Sequence, residues 1–297
     1  MAKVNPRPGG GGEIWGHAGP SDFYSKDKIK KHDSVEKGLA FGEMPNYDGA
    51  DRSVSGTSIF DPVLCELAYI WFSPVGGIVL DPFAGGSVRG IVASKLGRQY
   101  IGHELRQEQV NANRTQASEI CADDEHPPAW ICGDSRNITD TCNDLQADFV
   151  FSCPPYADLE VYSDNPKDLS TLAYTEFQEA YAEIIKKTCS LLKNDRFACF
   201  VVGEVRDKKG NYYNFVGNTI QAFKDAGLEY YNEAILITAV GSLPIRAGKQ
   251  FSASRKLGKT HQNVLVFVKG DGKKAAKACG QVEVDLGLLE SEAVTDA

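Results

Sequence analysis

The chain has 297 residues, of which 42% are hydrophobic, and a formal net charge of −8. That length suits one large α/β domain with extensions or at most two small domains, and the apolar share excludes global disorder. No apolar run approaches the roughly 18 residues of a membrane span, and the opening MAKVNPRPGGGGEIWG has no apolar core of the secretory kind.

Residues 1–60 read as an arm. Pro8 with Gly9 to Gly12 marks a flexible start, and the charge-rich stretch Lys26–Lys37 reads as a short helix. Order begins at Asp61, which can cap a helix that has Pro62 at its first position. Val63, Leu64, Leu67, Ile70 and Trp71 share one face of it, and it ends near Ser73–Pro74. GGIVLDPFAGG then reads as a buried strand running into a tight glycine loop. Val88, Ile91, Val92 and Leu96 give a helical period that Gly97 stops.

The alternation repeats. A strand at 99–105 precedes a polar helix at about 106–120. A strand at 129–135 is followed by a short linker, and a strand at 148–155 by an irregular acidic loop. Thr175 with Gln178 resembles a capping box, opening a helix with Phe177, Tyr181, Ile184, Ile185 and Leu192 on one face. A strand at 196–205, a helix near 214–226 stopped by Gly227, and strands near 229–239 and 262–269 complete the domain. After Gly270 the chain reads as a loose tail. The expected organisation is therefore an arm at 1–60, a domain at 61–270 and a tail at 271–297. The expected fold is α/β, a mostly parallel sheet with helices on both faces.

In such a sheet ligands bind beyond the carboxyl ends of the strands, and the chemistry-bearing motifs fall there. Asp81-Pro82-Phe83-Ala84-Gly85-Gly86-Ser87 ends the first strand; its glycines let a ligand approach the backbone, and a carboxylate there could attract a cationic amine. Glu104 ends the second strand about 20 residues past the glycine loop, the spacing at which an acid binds ribose hydroxyls in nucleotide folds. Gly133-Asp134-Ser135 ends the third; its Asp could accept from an adenine amino group or simply cap the next turn. Phe151-Ser152-Cys153-Pro154-Pro155-Tyr156 ends the fourth. Its two prolines make a rigid corner, and the aromatic after them can stack on a flat ring.

The eight cysteines are scattered, with no CxxC pair and no His cluster, which argues against a zinc or other metal site and suits a reducing cytoplasm. The acidic balance argues mildly against a dedicated nucleic-acid binder, although local patches matter more than the total. One such patch lies at Val240–Asn263. It carries Arg246, Lys249, Arg255, Lys256 and Lys259 with no Asp or Glu, and reads as a basic loop between the last two strands that could contact phosphates.

Taken in order, DPFAGGS, GHE, GDS and SCPPY resemble the motif series of the DNA amino-methyltransferases, which modify adenine N6 or cytosine N4. The likeness covers about residues 61–270, and PVLCELAYIWFSPVGG is similar to the helix that precedes the cofactor loop in that family. The GGSVRG variant also has a weaker likeness to phage or prophage methylases. The resemblance implies a Rossmann-like, S-adenosylmethionine-dependent methyltransferase fold with a seven-stranded sheet. It implies that Asp81, Phe83, Ala84 and Gly85 hold the methionine part of the donor, that Glu104 binds ribose, and that Cys132 and Asp134 border the adenine. Cys153 and the Pro154 carbonyl would accept from the target amine, Pro155 would set the corner, and Tyr156 would stack on a flipped base. DNA would be the partner, with no membrane and no metal. Two departures stand out: Cys153 occupies the family's Asp/Asn/Ser position, and Ser87-Val88 replace the usual Gly-Thr. An enzyme of the same fold acting on RNA or a protein amide, or a non-catalytic donor-binding module, are the competing readings. A C5-cytosine mechanism would need Pro-Cys order rather than Cys-Pro-Pro.

Overall fold

The computed structural model describes residues 60–156, 162–237 and 243–282. The arm up to residue 59, with the helix read at Lys26–Lys37, lies outside the described residues.

Helix α1 (Pro62–Phe72) starts as its residues dictate: the Asp61 carboxylate accepts from the Val63 N–H at 2.9 Å and Pro62 occupies the first turn. Strand β1 (Ile78–Asp81), helix α2 (Val88–Lys95), β2 (Gln99–Glu104), α3 (Gln107–Ile120) and β3 (Ala129–Cys132) follow. A 3₁₀ turn (Ser135–Asn137) and the short helix α4 (Ile138–Thr141) fill what the sequence read as a linker. Strand β4 (Ala147–Ser152) stops one residue before the prolines. Then come α5 (Tyr174–Ser190), β5 (Leu192–Val202), α6 (Phe215–Asp225), β6 (Glu229–Ile237), α7 (Leu243–Ser254), β7 (His261–Lys269) and α8 (Gly272–Cys279).

The seven strands form one sheet in the order β3-β2-β1-β4-β5-β7-β6. Strands β1 to β5 pair in parallel, and β7 runs antiparallel to both β5 and β6. Alternation along the strands feeds two cores, one per face. Val79, Phe149, Phe151, Phe197, Cys199, Val201, Val264 and Val266 turn to the face covered by α1, α2 and α3. Leu80, Val150, Ala198, Phe200, Val202, Leu265 and Phe267 turn to the face covered by α5 and α6. The expected α/β, doubly wound and mostly parallel seven-stranded sheet is the one observed. Among the described residues no helix is long and apolar enough to cross a membrane.

Four local expectations are corrected. The face of α1 read at Val63, Leu64, Leu67, Ile70 and Trp71 is not the buried one: Cys65, Ala68 and Tyr69 are buried, and Val63 and Trp71 are exposed. The capping box at Thr175 and Gln178 does not form: α5 begins at Tyr174 after Ala173, with no side-chain cap, and the Gln178 amide nitrogen is buried without a partner. Tyr174 stacks on Tyr213 at 3.6 Å between ring centroids, and that tertiary contact draws Thr175 inside the first turn. Leu192, read as helical, opens β5 and is buried there. The stretch after Gly270 is not a loose tail over Gly272–Cys279. Asp271 caps α8 by accepting from the Lys274 N–H at 2.9 Å, and Ala275 is fully buried in the first core.

Candidate active site at the reversal of strand order

Strand order reverses between β1 and β4, which are neighbours, and their outgoing loops part there. That is the place where doubly wound sheets bind ligands. The loop after β1 is held from behind by the protein. Ala84 donates its N–H to the His103 carbonyl at 2.8 Å, and Gly85 donates to Glu104 Oε2 at 3.0 Å. The Pro82 carbonyl accepts from the Ser135 hydroxyl at 2.5 Å and the Gly85 carbonyl from the Asn113 amide at 2.7 Å. Gly85 takes a φ of +51°, where a side chain would be strained. Gly102 on β2 lets the loop approach, since a Cβ there would sit 2.8 Å from the Ala84 Cβ.

Asp81 is fully buried and all four of its acceptor positions are used. Oδ1 accepts from the Phe83 N–H (3.0 Å) and the Ser152 hydroxyl (2.5 Å), and Oδ2 from Arg89 Nε (2.6 Å) and the Tyr100 hydroxyl (2.8 Å). Its carboxylate therefore acts inside the protein, and a donor amine would have to displace one of these partners. Arg89 also donates to the Phe83 and Ala84 carbonyls at 2.6 and 2.9 Å and lies under the Phe60 ring at 4.7 Å. Burial opposes the guanidinium's charge, but Asp81 outweighs it and holds its pKa above the ordinary value. The Phe83 ring packs into the second core against Tyr181 and Phe200.

Glu104 ends β2 with its carboxylate fixed by the Gly85 N–H and by the Arg106 N–H at 2.9 Å. Burial pushes its pKa up against the pull of those N–H groups and of Arg106. Each oxygen keeps one lone pair, enough to accept from hydroxyls. Beside it, His103 is buried, its Nε2 lies 2.8 Å from the Thr141 hydroxyl and its Nδ1 has no partner. Burial lowers its pKa to about 4, so the imidazole is neutral at pH 7. Asp134 realises its capping reading: it accepts from the Arg136 N–H at 3.0 Å and pairs with the Arg136 guanidinium at 2.7 Å. Burial opposes its charge, but Arg136 overrides it and keeps the pKa low. Cys132 is exposed at the end of β3.

The Cys153–Tyr156 corner leaves β4 at the same edge. Ser152, one residue earlier, ties it to Asp81 and so to the glycine loop. Cys153 is half-buried, with Sγ 3.7 Å from the Tyr156 hydroxyl; Pro154 is buried and Pro155 half-buried. Gln262 on β7 donates to the Tyr156 hydroxyl at 2.7 Å, and the ring sits edge-on to Phe215 at 6.0 Å. Burial, and then Cys153, push the Tyr156 pKa well above its ordinary value, so it is a neutral phenol.

The basic stretch is not all loop: it contains α7. Lys249 and Arg255 are exposed, Lys256 and Lys259 half-buried, and the side chain of Arg246 lies outside the described residues. Arg255 takes a φ of +56° and stacks its guanidinium over Phe251 at 5.1 Å. Because β7 is antiparallel, with Val202 opposite Asn263, this stretch reaches the sheet at the same edge as the motifs.

The structure thus gathers Asp81, Phe83, Ala84, Gly85, Glu104, Cys132, Asp134 and the Cys153–Tyr156 corner along one edge. Sequence reading missed the residues that hold them: Arg89, Tyr100, Asn113, Gln116, Ser152 and Gln262. The signal for Asn113 and Gln116 was present, two amides three apart on a polar helix, both buried against the loop, where Gln116 accepts from the Ser87 hydroxyl.

Residues 70–115 match the model of a family described as DNA methylase, the stretch that runs from α1 through the glycine loop and Glu104 into α3. No match was found among curated proteins. The chain is similar in structure to TrmN from Thermus thermophilus (16% identity, 71% of this chain, 49% of that one, TM-score 0.46). It is also similar to a putative sarcosine dimethylglycine methyltransferase from Galdieria sulphuraria (15%, 70% and 84%, 0.47). A third is the magnesium protoporphyrin IX methyltransferase ChlM from Synechocystis PCC 6803 (13%, 70% and 79%, 0.46). The chain spans about half the length of the TrmN protein. Likeness at this level concerns the backbone path and says nothing of substrate. The sheet topology and the match at 70–115 give the chain a Rossmann-like methyltransferase fold.

Proposed function

We propose that this methyltransferase-fold protein moves a methyl group from S-adenosylmethionine to an exocyclic amino group, adenine N6 or cytosine N4, of a base flipped out of DNA. The observation that carries the reading is the Ser152–Asp81 hydrogen bond of 2.5 Å, which fastens the Cys-Pro-Pro-Tyr corner to the glycine loop. Donor and acceptor sites then share one rigid frame.

The residues present fit the donor. A Cβ added at Gly85, Gly86 or Gly133 would meet nothing within 4 Å, so the space before the loop is open, with the Glu104 carboxylate fixed at its border. Phe83, Ala84 and Gly85 would line the methionine part with Asp81 bracing them, Glu104 would take the ribose hydroxyls, and Cys132 and Asp134 would flank the adenine. When bound, the donor supplies an electrophilic methyl on a positive sulfur. An aromatic amine is a poor nucleophile because its lone pair is delocalised into the ring. The Pro154 carbonyl and the residue at 153 would accept its two N–H bonds, favouring a pyramidal nitrogen whose lone pair is localised. Tyr156, locked by Gln262 and Phe215, would hold the base plane. Positioning of this kind supplies much of the rate in methyl transfer. The test is transfer of labelled methyl groups to DNA, RNA and protein, followed by modification-sensitive sequencing of host DNA after expression. Label in RNA or protein alone would overturn the DNA assignment, and donor binding without transfer would leave a binding module.

A further inference from the structure

Between β5 and α6 the chain makes a small hairpin, closed by a bridge between Arg206 and Tyr212. Lys208 and Lys209 stand exposed at its tip and have no ion-pair partner among the described residues. The neighbouring acids are already engaged. Asp207, on the hairpin, accepts from the Asn211 N–H at 2.8 Å, and Glu204 accepts from the Phe215 and Val216 N–H groups at the start of α6. From the basic stretch, Lys256 reaches across so closely that a Cβ at Gly210 would collide with its ammonium. The Arg206 guanidinium lies 3.7 Å from the centroid of the half-exposed Tyr212 ring. Four cationic groups thus gather around the hairpin and outnumber its Asp207 carboxylate, an excess of positive charge that favours an anion beside them.

Beside the hairpin is a cleft of about 350 Å³ lined by Leu172, Ala173, Tyr174, Asp207, Lys208, Lys209 and Tyr213. Tyr174 and Tyr213 stack at its wall. A run of ring contacts, Tyr174–Phe177, Phe177–Phe215 and Phe215–Tyr156, joins that wall to the corner at 6.0, 5.7 and 6.0 Å. The hairpin itself leaves β5, which runs parallel to β4 with Phe200 opposite Ser152, so it starts from the same edge of the sheet as Tyr156.

We infer that this hairpin and cleft hold the phosphodiester backbone of the substrate strand next to the target base, with Lys208, Lys209 and Lys256 as its phosphate ligands. The inference rests on the nucleic-acid reading of the site and adds to it where the strand enters. The experiment compares wild type with a Lys208→Ala/Lys209→Ala variant of the full chain. Anisotropy of a labelled oligonucleotide, as single-stranded DNA, duplex DNA or RNA, is measured across a salt series. A Lys273→Ala/Lys277→Ala variant, on α8 at the opposite edge of the sheet, is the control. The hairpin variant is expected to bind about tenfold more weakly at low salt, with its log–log salt slope reduced by about 0.7–0.9 for each phosphate that is no longer neutralised. The control should match wild type, and donor affinity should be unchanged in all three. Wild type binding with an equal slope in the hairpin variant overturns the inference and leaves the function standing. Wild type binding none of the three probes overturns both.

Discussion

Cys153 stands at the point of the corner where an acceptor oxygen would be expected. Its sulfur faces the Tyr156 hydroxyl at 3.7 Å, and Gln262 holds that hydroxyl from the other side. A serine in its place keeps a hydrogen-bonding group in the same direction, so Cys153→Ser should retain substantial turnover while Cys153→Ala loses more. Tyr156→Ala should lose more again, because base–aromatic stacking is worth about 1–3 kcal/mol. Donor affinity should survive in all three. An adduct trapped at Cys153 by 5-fluorocytosine DNA would instead make the cysteine a covalent nucleophile. Glu104 is the matching test on the donor side: Glu104→Ala should weaken donor binding by about 1–3 kcal/mol, and unchanged calorimetric affinity in a folded variant would remove it from the site. His103 makes a different prediction. Its folded pKa of about 4 is below its ordinary value, so the unfolded chain binds more protons through the interval from about 6.5 down to 4. Stability at His103 is therefore full above that interval and falls with pH through it, by at most about 3 kcal/mol. Glu104, pushed up by burial, works in the opposite sense. The measurement is accordingly the difference in urea unfolding between wild type and His103→Gln at pH 7 and pH 5. An equal pH dependence in both would show that His103 carries none of it.

The element that matters most for the site is the glycine loop, and its stability comes from the Asp81–Arg89 pair beneath it. Both side chains are almost fully buried, with Nε and Oδ2 2.6 Å apart. Removing one partner leaves a buried charge uncompensated. Arg89→Met should therefore cost about 3–5 kcal/mol in denaturant unfolding, a loss that Asp81→Asn in the same chain should partly restore. A loss no larger than a surface substitution would show that the pair is solvated in solution. This pair also marks the limit of what the sequence disclosed. The central strands β1, β4, β5 and β7 were legible because they carry continuous buried runs and lead into glycine or proline, and the motifs because they sit at strand ends. Arg89 lies in the stretch that departs from the family pattern, so the resemblance could not assign it a role. Gln262 meets Tyr156 from 106 residues away, and no local period announces such a contact. α8 was missed because its core anchors, buried Ala275 and half-buried Cys279, are small, and Lys-rich neighbours hide the period. α7 was missed because Gly248 and polar residues dilute its pattern.

At the scale of the whole molecule the charge is −8, and a nucleic acid should be repelled from most of its surface. One edge of the sheet escapes that rule. The segment leading into β7 brings Lys249, Arg255, Lys256 and Lys259 to the edge that carries the glycine loop and Tyr156. The molecule should consequently approach its substrate with that edge forward, and its affinity should depend steeply on salt because each neutralised phosphate releases counterions. Replacing Arg255, Lys256 and Lys259 together tests this. Arg255 has a left-handed backbone, so Asn, which tolerates that conformation, is the appropriate replacement, with Gln at the two lysines. The variant should fold as wild type does and bind the donor equally well. Its nucleic-acid affinity should fall, and its log–log salt slope should flatten by about 0.7–0.9 for each phosphate left without its cation. Binding with an undiminished slope would mean that phosphates are held elsewhere on the molecule and that this stretch is an ordinary solvated surface.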